Sequence, residues 1–194
     1  MKKLLALALV ALTFTACEDA PQVSAPAPIT FSNRAPIRLN VAQVKVIDSY
    51  RSSMTMPYIE HTLPTSPATA IHQWAGQRLI AAGQAGTLEI TIEDAAVKQT
   101  DLKLKDGIEG FFTDQQSERY DAHVRVTMKL YDGVQTISIA DADVDVSRMQ
   151  TVNEKATVSQ REKILNGMVQ DIMLRFDSEG EARLRQYFAR FIVG

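Results

Sequence analysis

Between Arg119 and Leu130 the chain alternates without error. Tyr120, Ala122, Val124, Val126, Met128 and Leu130 are apolar, and Arg119, Asp121, His123, Arg125, Thr127 and Lys129 separate them. A period of two over this length is the pattern of a long strand with one face in a core and one in water. Such a strand requires a sheet, and a sheet wet on one face requires an apolar layer over the other. Leu88, Ile90 and Ile92 repeat the pattern against Thr87, Glu89, Thr91 and Glu93. Asp132-Gly133, directly after the long strand, is a hairpin signal, so the stretch 134–149 is predicted to return beside it. Along the return the apolar positions change parity, Ile137 and Ile139 being odd and Ala142, Val144 and Val146 even. A bulge near Ile139 or Ala140 restores a single apolar face.

Asp141, Asp143 and Asp145 line one face of the returning strand, with His123 near. Oxygen ligands plus one imidazole suggest a cation site. With a two-residue turn and a bulge, however, Arg125 falls opposite Asp141, His123 opposite Asp143 and Asp121 opposite Asp145. That register describes a solvated charge face rather than a metal centre. No metal site is expected.

The layer over the sheet is supplied by two helical patterns. Ser66-Pro67 reads as an N-cap followed by proline at the first helical position. Ile71, Trp74, Ala75, Leu79 and Ala82 follow at helical spacing, and Gly83 is the predicted stop. On that apolar stripe Trp74 is expected in the core rather than on a ligand platform. The second pattern opens with Ser159 and Glu162 in a capping-box arrangement and runs through Ile164, Leu165, Met168, Val169, Ile172 and Phe176. It continues past Gly180 through Leu184, Tyr187, Phe188 and Phe191, as one long helix or two joined at the glycine. Arg175, Arg183, Arg185 and Arg190 make this end basic, which reads as a snorkelling surface before it reads as a lipid contact.

Ile37, Leu39 and Val41, then Val44 and Val46 after one slip, predict a first strand interrupted by a bulge. The pattern dissolves from Asp48 to Pro64, a predicted surface loop holding His61. The connection from Lys98 to Gln116 is longer than a hairpin loop and contains Gly107, Gly110 and the pair Phe111-Phe112. Two readings stay open for that pair: a plug folded onto the sheet, or an exposed anchor for a partner protein, since aromatic side chains carry much interface energy.

The first hydrophobic run, Leu4 to Phe14 behind Lys2 and Lys3, fits a secretory leader and is too short to span a bilayer. Thr15 and Ala16 then lead into Cys17, the only cysteine. The stretch Phe14-Thr15-Ala16-Cys17 resembles the bacterial lipobox, with Phe14 where that pattern usually has leucine. The resemblance implies removal of residues 1–16 and lipid on Cys17; the alternative is plain secretion with cleavage near Ala16. Glu18 stands where many Gram-negative lipoproteins carry an aspartate that retains them at the inner membrane, so the same resemblance implies the outer membrane. Pro21, Pro26 and Pro28 among Ala, Ser and Gln give an extended tether, at ~3.3 Å per residue able to hold a domain as far as about 60 Å from the lipid. The expected organisation is a leader over 1–16, a lipidated terminus and tether over 17–36, and a single α+β domain over 37–194.

The predicted order is strand, helix, strand, hairpin, long helix: a mostly antiparallel sheet with two helices packed on one face. Behind a lipobox and a tether, that order resembles small envelope lipoproteins of Gram-negative bacteria whose domains look like the N-terminal domain of the Tol-system translocation protein. These include the YajG-type and the transport-auxiliary lipoproteins. The wording Ala35-Pro36-Ile37-Arg38-Leu39-Asn40-Val41-Ala42, with Phe112-Thr113-Asp114-Gln115 and Glu118-Arg119-Tyr120-Asp121, is similar to proteobacterial lipoproteins of unknown function. The resemblance implies family and is silent on activity.

Lys+Arg at 21 against Asp+Glu at 23 leaves no overall field that would favour nucleic acid. There is no G-x-S-x-G, no H-E-x-x-H and no phosphate-cradling glycine loop, and His61, His72 and His123 fall on a loop, a helix and a strand without a shared motif. The expectation is a binding or assembly factor of the envelope without cofactor or catalysis. An enzyme whose site is assembled from distant segments is the competing class. The membrane is engaged through Cys17, an envelope protein is the expected partner, and oligomeric state is left open.

Overall fold

The computed structural model describes residues 28–104, 114–133 and 136–194, and Cys17, Phe111 and Phe112 lie outside them. The alternating stretch forms one strand, β6 (Gln116–Tyr131), and it is the spine of a five-stranded sheet. Along one side it pairs antiparallel with β7 (Ala140–Asn153). Along the other it pairs first with β5 (Val97–Asp101) and then with β4 (Thr87–Asp94). Asp94↔Arg125 and Val97↔Ala122 keep one offset, and the His123 N–H donates to the Ala96 carbonyl at 2.9 Å, so β4 and β5 act as one strand bent at Ala95 and Ala96. β2 (Gln43–Asp48) adds to β4 in parallel.

Leu88, Ile90, Ile92, Tyr120, Ala122, Val124, Val126, Met128, Leu130, Ala142, Val144 and Val146 are buried on one face of this sheet. Both helices cover that face: α1 (Pro67–Arg78) and α2 (Val158–Tyr187). The α+β architecture with helices on one side is therefore the one the alternation demands. Trp74 of α1 is fully buried and meets Phe176 of α2 edge-on, ring centroids 4.9 Å apart. Gly180 permits this approach, because a Cβ there would stand 3.1 Å from the Trp74 ring.

Several expectations are corrected. The stretch 37–46 is two strands in two sheets: β1 (Ile37–Leu39) pairs in parallel with β3 (Leu79–Ala81), and β2 belongs to the large sheet. What looked like one slip is a crossing between sheets, with Val41 fully buried at the crossing. α1 ends at Arg78, since Leu79 turns extended to pair with Ile37. Gly83 is needed for another reason: a Cβ there would lie 2.5 Å from the Asn40 carbonyl carbon.

β5 occupies the start of the stretch 98–116 that the pattern marked as loop. The β6–β7 connection is 132–139 rather than a two-residue turn, although Gly133 does adopt a left-handed φ of 87°. Ile137 is 74% exposed in this connection, and it carried the apparent parity change; β7 itself contains no register shift. The cap of α2 is Thr157, whose hydroxyl accepts from the Gln160 N–H while the Gln160 side chain accepts from the Thr157 N–H. Ser159 and Glu162 already lie inside the helix, which runs unbroken through Gly180. Residues 28–36, assigned above to the tether, are packed onto the domain: Ile29 and Phe31 are buried, and the Phe31 N–H donates to Gln77 Oε1 at 2.7 Å.

Candidate functional site

Asp177 accepts hydrogen bonds from three side chains. It sits mid-helix on α2, 1% exposed, and Trp74 Nε1–H donates to its Oδ1 at 2.8 Å. Arg78 Nε–H donates to the same oxygen at 2.7 Å, and Arg34 Nη1–H to Oδ2 at 2.6 Å. Arg78, itself 1% exposed, also reaches the Ala35 carbonyl and Glu181. Burial pushes the Asp177 carboxyl up, but the hydrogen bonds from Arg34, Arg78 and Trp74 outweigh it and hold its pKa below the usual carboxylate value. This network ties three segments together: the chain arriving from the N-terminus, α1 and α2. Trp74 is thus core, with its one polar atom satisfied.

The candidate cation cluster takes a different form from the expected one. The register is Arg125↔Asp145, Thr127↔Asp143 and Lys129↔Asp141, with His123 opposite Ser147. His123 lies between two carboxylates, Nδ1 2.8 Å from Asp94 Oδ2 and Nε2 2.8 Å from Asp145 Oδ1. Asp145 Oδ2 accepts from Arg125 Nε–H at 2.8 Å, and Asp143 Oδ1 from the Thr127 hydroxyl at 2.8 Å. Burial lowers the His123 pKa, and the hydrogen bonds to Asp94 and Asp145 more than reverse this, leaving it raised. Among the described residues no group of three or more His, Cys, Asp or Glu is placed to hold a metal ion. The acidic ladder is a charge face cross-linked over β4, β6 and β7.

A groove of about 520 Å³ opens between the end of β2, the stretch 49–66 and the first turns of α1. Its wall includes Asp48, Tyr50, Glu60, His61 and His72, brought together from three elements. His72 Nε2 lies 2.9 Å from Asp48 Oδ1, and both side chains are about half exposed. Glu60 is 3% exposed at the floor, with Oε1 accepting from the Tyr50 hydroxyl at 2.6 Å and Oε2 from the Val97 N–H at 3.1 Å. Burial pushes the Glu60 carboxyl up, and bonds from Ser52, Tyr50, its own N–H and Val97 pull it below the ordinary value. The same burial and partner raise the Tyr50 phenol. Glu60 therefore closes a loop against the sheet, and the exposed His72–Asp48 pair is screened by water. The sequence gives no motif for this groove, because its residues meet only through the β2–α1 crossing.

Three of the four arginines expected to make this end basic meet neighbours: Arg185 bonds Glu181 at 2.9 Å, Arg183 stands 4.0 Å from Glu179, and Arg190, beyond α2, lies over the Phe191 ring. No helix among the described residues is long and apolar enough to cross a membrane.

No family model matches the chain, and no curated protein does. Among solved structures it is similar to a putative neuraminyllactose-binding hemagglutinin homolog from Helicobacter pylori, at 10% identity and a TM-score of 0.42, over 81% of this chain and 92% of that one. It is also similar to an uncharacterized lipoprotein B from Nitrosomonas europaea, at 11% identity and a TM-score of 0.39, over 84% and 96% of the two chains. A minor lipoprotein from Acinetobacter baumannii follows at 11% identity and a TM-score of 0.37, over 80% and 98%. Lipoproteins of Gram-negative bacteria thus recur among the similar structures, at a distance where the likeness says nothing of what this chain binds.

Proposed function

We propose that the chain is a lipid-anchored protein of the cell envelope whose domain serves as a binding or assembly factor. The observation that carries this reading is Cys17, a solitary thiol placed directly behind a short apolar leader and small residues. The Arg34–Asp177 contact supports it, since the chain coming from Cys17 is fastened to the helix layer before it enters β1. Glu18, where an aspartate would mark retention at the inner membrane, supports an outer-membrane anchor. Phe111 and Phe112 are the proposed partner contact. The His72–Asp48 groove favours a second reading, an enzyme with a site assembled from distant segments. Against it, Glu60 is committed to Tyr50 and Val97, and the histidine–carboxylate pair is open to water.

Fractionation tests the proposal. The wild-type chain is expected with the outer membrane, Glu18→Asp with the inner membrane, and Cys17→Ser unprocessed or released. If Cys17→Ser fractionated and matured like wild type, the anchor assignment would be wrong. On the same membranes, Phe111→Ala with Phe112→Ala should lose crosslinking to one envelope protein at unchanged unfolding temperature; a fall of many degrees would make the pair core instead.

A further inference from the structure

β7 is an edge strand of 14 residues, and among the described residues its backbone pairs only with β6. Natural edges are blunted by proline, bulges or charges that lean across them, because an open row of N–H and C=O groups templates another strand. β7 has no proline and no internal register shift. Two of its three aspartates are drawn back over β6: Asp143 to Thr127, and Asp145 to Arg125 and His123. Beside the edge, a groove of about 510 Å³ runs between Asp145, Val146 and Ser147 on β7 and Arg175, Ser178 and Glu179 on α2. Leu174, on the same stretch of helix, is 58% exposed.

We propose that this edge pairs antiparallel with the β7 of a second copy, around a two-fold axis at Ser147, joining two sheets into one. The charge pattern of the strand selects this occupant. The wet face of β7 is acidic in its first half, at Asp141, Asp143 and Asp145, and uncharged in its second, at Ser147, Met149 and Thr151. A two-fold axis at Ser147 sets Asp145 against Met149, Asp143 against Thr151 and Asp141 against Asn153 of the other copy. No aspartate then faces an aspartate, a juxtaposition that would destabilise the pair. The same register uses nearly the whole strand, since Ser147 lies at its midpoint. It also covers Met149, which is 52% exposed, and brings the two α2 helices side by side at Arg175 and Glu179. Each copy there offers one cation and one anion, which a two-fold axis can match reciprocally. The inference stands on the fold alone and does not require the lipid reading.

The test uses the full chain in detergent-solubilised membranes. Ser147 is exposed, so Ser147→Cys is expected to leave the fold intact. Opposed Cα atoms in an antiparallel pair are about 4.5–5.5 Å apart, within disulfide reach. Mild oxidation with copper phenanthroline should give a reducible dimer from Ser147→Cys well above the level set by the wild-type chain, which carries Cys17, and by Glu93→Cys, which is exposed on β4, away from the edge. Sedimentation of the wild-type chain should give two chains per particle. One chain at every concentration overturns the proposal, as does a two-chain particle without the Ser147 crosslink. Crosslinking of Ser147→Cys to a different protein also overturns it and gives the edge to a foreign strand.

Discussion

Asp177 accepts from two guanidinium groups and an indole while almost wholly buried, so its charge is compensated only as long as all three partners are present. A buried ion pair adds little over a well-packed apolar isostere, but removing one member strands the other. Asp177→Asn is therefore expected to destabilise the domain by about 3 kcal/mol in denaturant unfolding, because fully buried Arg78 is left with the partly exposed Glu181 as its remaining counter-charge. An effect near zero would mean the network is not formed. Since the folded pKa of Asp177 is depressed, its contribution is present above the unfolded value near 3.8 and is lost as pH falls through the lower folded value. The wild-type domain should lose stability in that acid window, with the slope reduced in the variant.

His123 titrates with the opposite sign. Its folded pKa is raised, so the stabilisation by Asp94 and Asp145 is complete below the ordinary value of 6.5 and disappears as pH rises through the folded value. Melting temperature should fall with pH above about 6.5, and His123→Gln should flatten that fall. An unchanged profile in the variant would remove His123 as its source. The sequence marks His123 but not Asp177. Arg78 and Asp177 stand 99 positions apart on two helices, and a charged residue at helical spacing reads as surface until the partner helix is in place.

At the scale of elements, the alternation in β4, β6 and β7 was legible because period two needs only a few residues to show and one face of each strand is buried. Register was not legible. It depends on the length of the β6–β7 connection, and Asp132-Gly133 is compatible with a tight turn as well as with the longer connection that forms. A miscount there moves Asp145 from Asp121 to Arg125 and changes which charges meet. The strands β1 and β3 are three residues each, too short to carry a period; they pair with each other, and the segment after α2 holds β1, Asn40 N–H donating to Phe191 O at 2.7 Å and Val193 N–H to Arg38 O at 2.9 Å. The cap at Thr157 was missed by two residues because Ser159 and Glu162 offer the same residue types at the same spacing. The groove at Asp48 and His72 had no signal at all, since it exists only where β2 and α1 are brought side by side.

At the scale of the molecule, one layer of helices over the five-stranded sheet leaves a wet, charged sheet face, an open β7 edge and a polar groove, while the stretch ahead of β1 is clamped on the helix side. With Ile29 and Phe31 buried and Arg34 bonded to Asp177, the packed domain includes residues ahead of β1 that the sequence pattern had placed in the tether.

The proposed anchor on Cys17 is checked by the intact mass of the protein extracted from membranes. The expected species is a polypeptide beginning at Cys17 with the mass of a diacylglyceryl group and an amide-linked acyl chain added. Those chains bury enough methylenes, at ~0.8 kcal/mol each, to keep the protein on the membrane. A mass equal to the unmodified chain, whether begun at Met1 or cut near Ala16, would contradict it.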